Sequence, residues 1–93
     1  MKLEELIFKE TGVKAFSHDG GLVYMVDRQG YVRIFRALKK LCDKYTVVFR
    51  TAGGWRYKFY TKKGKVFMDV TEVPAKERKK RPDYMIVIRE VAG

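Results

Sequence analysis

The sequence predicts an α+β fold: an antiparallel sheet (β-meander plus hairpin) with one main amphipathic helix packed on one face and a short N-terminal helix. Three observations predict it. Between residues 31 and 45 apolar side chains recur at helical spacing, beyond residue 46 the period drops to two, and turn formers cut the second half into strand-length runs. A chain of 93 residues with 46% hydrophobic and 14% aromatic content can bury one core, so residues 1–93 read as a single small basic domain.

Taken in order, residues 2 to 11 place Leu3, Leu6 and Ile7 on one side, with Glu4 and Glu5 in the first turn and Gly12 just past the end, as a short helix requires. The runs VKAFS and LVYMVD flank His18-Asp19-Gly20-Gly21 and are expected to pair as a hairpin. Over 31 to 45, Tyr31, Ile34, Phe35, Leu38, Leu41, Cys42 and Tyr45 fall in one arc of about 120° at about 100° per residue. Arg33, Arg36, Lys40 and Lys44 gather opposite, interrupted by Ala37. Three strands are expected at 46 to 51, 55 to 61 and 65 to 73, separated by Ala52-Gly53-Gly54 and Lys62-Lys63-Gly64, with Gly64 suited to a left-handed loop position. The segment 74 to 83 is bounded by prolines, lacks a strand pattern and carries the basic run Lys76 to Arg81, so it reads as a loop or a single exposed helical turn. The apolar YMIVIREV closes the sheet from a central position.

Alternation assigns faces to these strands. Val47, Phe49, Trp55, Tyr57, Phe59, Val66, Met68, Val70, Ile86 and Ile88 make the set that receives the helix. Val48, Arg50, Arg56, Lys58, Tyr60, Phe67, Asp69, Thr71, Val87 and Arg89 make the other, a basic face with aromatics among the cations. Single-stranded nucleic-acid binders use such a face, stacking bases on aromatics while cations follow the backbone.

Charge is concentrated as well as abundant. Residues 31 to 65 hold Arg33, Arg36, Lys39, Lys40, Lys44, Arg50, Arg56, Lys58, Lys62, Lys63 and Lys65 against Asp43 alone, an excess equal to the net charge of +10 for the whole chain. Such a density destabilises a compact state unless a polyanion or counterions offset it. The expected function is nucleic-acid binding without catalysis. Arg33, Arg36, Lys40, Lys44, Arg50, Arg56, Lys58, Lys62, Lys63 and Lys65 would contact the phosphate backbone of DNA or RNA, and Tyr60 would lie among them. The alternative is a small viral or mobile-element inhibitor docking its basic face on an acidic protein surface. A metal-independent ribonuclease-like toxin ranks third.

Other chemistry finds little footing. No phosphate-binding loop, dinucleotide fingerprint or metal-ligand pair of Cys or His residues occurs, so neither cofactor nor metal is expected. Of the strand signature of RNA-recognition motifs only Lys63, Gly64 and Phe67 match, and no second helix precedes the last strand, so that family is not assigned. Asp83 and Glu90 lack the lysine that would complete a Mg²⁺-dependent nuclease set. His18-Asp19 could orient an imidazole, yet no nucleophile accompanies it. The lone Cys42 reads as a small core residue. With no signal-like or membrane-length apolar run, a reducing cytoplasmic setting without membrane contact is expected. The absence of Asn and the scarcity of Gln, Ser and Cys point to a thermophilic source.

Overall fold

The computed structural model describes residues 2–51, 53–74 and 83–92. In them seven elements follow one another: α1 (Leu3–Thr11), β1 (Leu22–Val26), α2 (Arg28–Leu41), β2 (Lys44–Thr51), β3 (Gly54–Tyr60), β4 (Gly64–Glu72) and β5 (Tyr84–Ala92). The five strands form one antiparallel sheet in the order β1-β5-β4-β3-β2. The chain starts at one edge, crosses to the other through α2, and returns as a four-stranded meander that ends beside its starting strand. The apolar closing strand β5 therefore lies inside the sheet, as its composition predicts. No helix among the described residues is long and apolar enough to cross a membrane. The basic run Lys76 to Arg81 lies outside the described residues.

Two element boundaries differ from the sequence expectation for local reasons. The main helix spans 28–41 instead of 31 to 45, because Asp27 caps it: the Asp27 carboxylate accepts the Gly30 N–H at 2.8 Å, which starts the helix three residues early. At the other end Lys44 and Tyr45 are drawn into the sheet opposite Tyr60 and Phe59. Tyr45 fits the helical arc only because it reaches the same aromatic cluster from a strand, 5.1 Å from the Phe35 ring and 5.6 Å from Phe59. The expected N-terminal hairpin shrinks to a single bridge, in which Val23 donates its N–H to Ser17 O at 2.9 Å and Phe16 donates its N–H to Val23 O at 2.6 Å. Gly12 does cap α1 in the left-handed conformation, φ 74°, donating to Phe8 O at 2.7 Å.

The core forms where both helices meet one sheet face. Ile7 from α1 and Ile34 and Leu38 from α2 are fully buried with Tyr24, Phe59, Met68, Val70, Ile86 and Ile88 from four strands. Ala37, expected among the cations of α2, is buried too. One turn later Lys40 pairs with Glu10 of α1 at 3.1 Å, so this flank of α2 turns toward the first helix and needs a small side chain. Cys42 packs half-buried against the core and burial raises its thiol pKa, in keeping with a core role.

Gly54 marks a close backbone approach: a Cβ built there would lie 2.1 Å from Val70 O, which as main chain cannot swing aside. Gly64 sits at φ 159°, close to extended rather than in the expected left-handed well. The tight β3–β4 connection is instead held by Thr61, whose Oγ1 accepts the N–H groups of Lys63 at 3.2 Å and Gly64 at 3.0 Å.

Two outcomes follow from this packing. Leu38→Ala is expected to cost about 2–5 kcal/mol in chemical denaturation, through lost burial and the cavity left behind, and a loss below about 1 kcal/mol would show that α2 does not face the sheet. The second concerns alkaline pH. Burial, with a lesser contribution from Glu4, pushes the Tyr24 hydroxyl up from 10.0 to about 12, and among the described residues this hydroxyl has no hydrogen-bond partner. Its pKa is raised on folding, so its contribution to stability is complete below pH 10.0 and is lost as pH climbs toward about 12. Tyr24→Phe removes a buried, unpartnered hydroxyl; unfolding midpoints should hardly change at neutral pH and should fall less steeply across the alkaline range.

Candidate nucleic-acid interface

With both helices on one side, the opposite face of the sheet carries the side chains that alternate away from the core. Cross-strand pairing arranges them in rows. Lys44, Tyr60, Lys65 and Val91 form one row; Thr46, Lys58, Phe67 and Arg89 the next; Phe49, Arg56, Asp69 and Val87 the third. Cations and aromatic rings alternate within and between these rows.

A bulge in β2 shapes the third row. Val47 faces Tyr57 and Phe49 faces Arg56, leaving Val48 as an extra residue. The extra residue exchanges the two faces beyond it. Phe49, expected against the helix, joins the open face and lies under the Arg56 guanidinium, 5.3 Å from ring centroid to Cζ. Arg50, expected on the open face, pairs with Trp55 and turns toward the helix side.

Asp69 organises the centre of the face. Arg56 donates from Nε to Asp69 Oδ1 and from Nη2 to Oδ2 at 3.0 Å, a bidentate pair, while Arg89 Nη2 reaches Oδ2 at 3.3 Å. The hydrogen bond with Asp69 raises the Arg56 pKa further above its already high value. So fixed, the guanidinium sits between two rings, 5.3 Å from Phe49 and 5.0 Å from Phe67.

The end of the face near the β3–β4 turn is different. Lys44 and Lys58 lie over the Tyr60 ring at 5.3 and 5.4 Å, Lys65 is its cross-strand neighbour, and Lys62 and Lys63 project from the adjoining turn. Among the described residues none of these five lysines has a carboxylate within ion-pair distance. Hydrogen bonding to the Lys58 ammonium, helped by its charge and that of Lys44, lowers the Tyr60 hydroxyl pKa.

The residues expected to bind phosphate therefore divide between two surfaces. Lys44, Arg56, Lys58, Tyr60 and Lys65 share the open face, with Lys62 and Lys63 at its end. Lys44 is there because it belongs to β2 and not to the helix stripe where the sequence puts it. Arg33, Arg36 and Lys40 lie on α2, in the layer behind the sheet, and Lys40 is engaged by Glu10. Arg50 is turned away by the bulge. Two residues of the face, Phe67 and Arg89, are legible from alternation but stand outside the basic segment that drew attention to the others. Phe49 carries no sequence signal for its position, because nothing in KYTVVFRT announces the extra residue.

The remaining candidate chemistry is scattered. His18 meets Glu4 and not Asp19, with Nε2 3.0 Å from each carboxylate oxygen, on an exposed surface. Asp83 precedes β5 and Glu90 lies near its far end, about 23 Å away at ~3.3 Å per residue, too far to share one metal ion. No family model, no curated protein and no solved structure matches this chain.

Proposed function

We propose that this chain is a nucleic-acid-binding domain that acts without a cofactor and without catalysis, gripping phosphates with the open sheet face and the β3–β4 turn. The observation that carries the reading is the group of five lysines, Lys44, Lys58, Lys62, Lys63 and Lys65, gathered around Tyr60 with no carboxylate partner among the described residues. Like charges held this close repel one another, and a polyanion relieves that repulsion while releasing its own counterions. The helix layer fits the role less well. Its cations border the acidic first helix, and one of them is already paired there.

The test is the dependence of affinity on salt, measured by fluorescence anisotropy with labelled DNA and RNA. Replacing Lys58, Lys62, Lys63 and Lys65 together by Ala should flatten the slope of log affinity against log salt for duplex DNA by about three to four units, if each makes one phosphate contact. Replacing Arg33 and Arg36 should change it by less than about one unit. Folding should persist in both variants, since none of these side chains is buried. Equal losses per charge removed from the two sets would mean diffuse attraction with no defined site. Absence of binding to any DNA or RNA at low salt would overturn the proposal in favour of docking on an acidic protein surface.

A further inference from the structure

We propose that the open face takes an unpaired polynucleotide strand in preference to a duplex, with bases stacking on Tyr60, Phe67 and Phe49 while the surrounding cations follow the phosphates. The inference rests on the nucleic-acid reading and goes further, because phosphate contact alone is indifferent to strandedness.

The three rings are spaced as a track. Tyr60 and Phe67 lie on neighbouring strands, two residue pairs apart along the ladder and so on one face, as diagonal neighbours at about 7–8 Å. Phe49 and Phe67 flank Arg56 from either side. Every ring thus adjoins another aromatic position or a guanidinium plane, and each has a cation beside it. Phe49 is 45% exposed, unusual for a ring of that size on a folded sheet, and Tyr60 and Phe67 are half-buried.

A duplex makes poor use of such a surface. Its bases are already stacked and hidden, so the rings would meet only the charged exterior, and a sheet face offers no projecting helix to enter a groove. An unpaired strand exposes the π-face of each base. Lysines now resting over Tyr60 would exchange the ring for a phosphate when a base arrives, which lets the same side chains serve both states.

The sugar is expected to matter little. The one carboxylate in the three rows, Asp69, already has both oxygens engaged by Arg56 and Arg89, and the other polar groups there, the lysine ammoniums and the hydroxyls of Thr46 and Tyr60, are rotatable groups that suit a phosphate oxygen as well as a 2′-hydroxyl. The occupant is accordingly a single strand of either DNA or RNA.

The experiment compares three labelled probes of one sequence without self-complementarity: single-stranded DNA, single-stranded RNA, and the DNA strand annealed to its complement. Both single strands should bind the full-length chain with comparable affinity, and more tightly than the duplex at physiological salt. Tyr60→Leu and Phe67→Leu should each weaken single-strand binding on the order of 5- to 150-fold, and Phe67→Leu, outside the phosphate-binding set, should leave duplex binding nearly unchanged, whereas Tyr60→Phe, which keeps the ring, should retain single-strand binding. Circular dichroism and an unchanged thermal unfolding midpoint establish that the Leu variants are folded. Duplex binding equal to or tighter than single-strand binding, or equal weakening of both by the Leu variants, would overturn the stacking proposal while leaving the phosphate reading intact. Strong preference for RNA would refute sugar indifference. If no probe binds at low salt, the nucleic-acid reading itself falls, and this inference with it.

Discussion

Ile34 and Leu38 are the side chains through which the second helix holds the sheet, buried completely against Phe59, Met68 and Ile86. A sheet of this size gains stability by removing one face from water, and a helix with one apolar stripe can supply the covering layer. Both helices lie on that side. Hydrophobic burial is then concentrated on that side, and although Val23 beside Val87 is buried on the other face, most residues there are released from the demand to be apolar. The charge of this chain occupies the surface that packing leaves free.

That freedom has a cost. Cations on adjacent strands repel, and with a net charge of +10 the chain has few acids to intersperse among them. Two devices reduce the penalty. Asp69 holds two arginines by itself, and the quadrupoles of Phe49, Tyr60 and Phe67 accept the positive charge of Arg56, Lys44 and Lys58. An exposed cation–π contact contributes about 0.5–1 kcal/mol, enough to soften the repulsion and too little to abolish it. The outcome is graded along the face, partly neutralised at Asp69 and increasingly uncompensated toward the β3–β4 turn.

What could be read without coordinates was whatever repeats. The 3.6-residue period placed Ile34 and Leu38 in the core, and the two-residue period placed Phe59, Met68 and Ile86 opposite them. Lys58, Tyr60 and Phe67 came out on the open face by the same alternation. Single local events escaped this reading. Tyr45 satisfied the helical period while belonging to a strand, because a residue entering the sheet beside the helix end can point at the same cluster. The bulge at Val48 put Phe49 and Arg50 on the wrong faces, since one unpaired residue leaves no mark on composition. The Arg56–Asp69 pair joins positions 13 apart in sequence, and only the register of β3 against β4 brings them opposite each other. Charge density, for its part, marks a segment and not a surface, and that segment spans two layers.

The bulge in β2 bears on a different matter, the tendency of β-proteins to polymerise. β2 is an edge strand, and no described residue pairs with its outer side. Around its middle Val47, Val48 and Phe49 are all more than 40% exposed, the composition of a strand that could recruit copies of itself. An extra residue at that point breaks the even spacing of outward N–H and C=O groups, so a second β2 could stay in register with only half of it at a time. Lys44 and Arg50 near its ends add charge repulsion between like edges. The irregularity that exposes an aromatic ring to the open face is thus also a feature that works against edge-to-edge growth of a basic, aromatic-rich sheet.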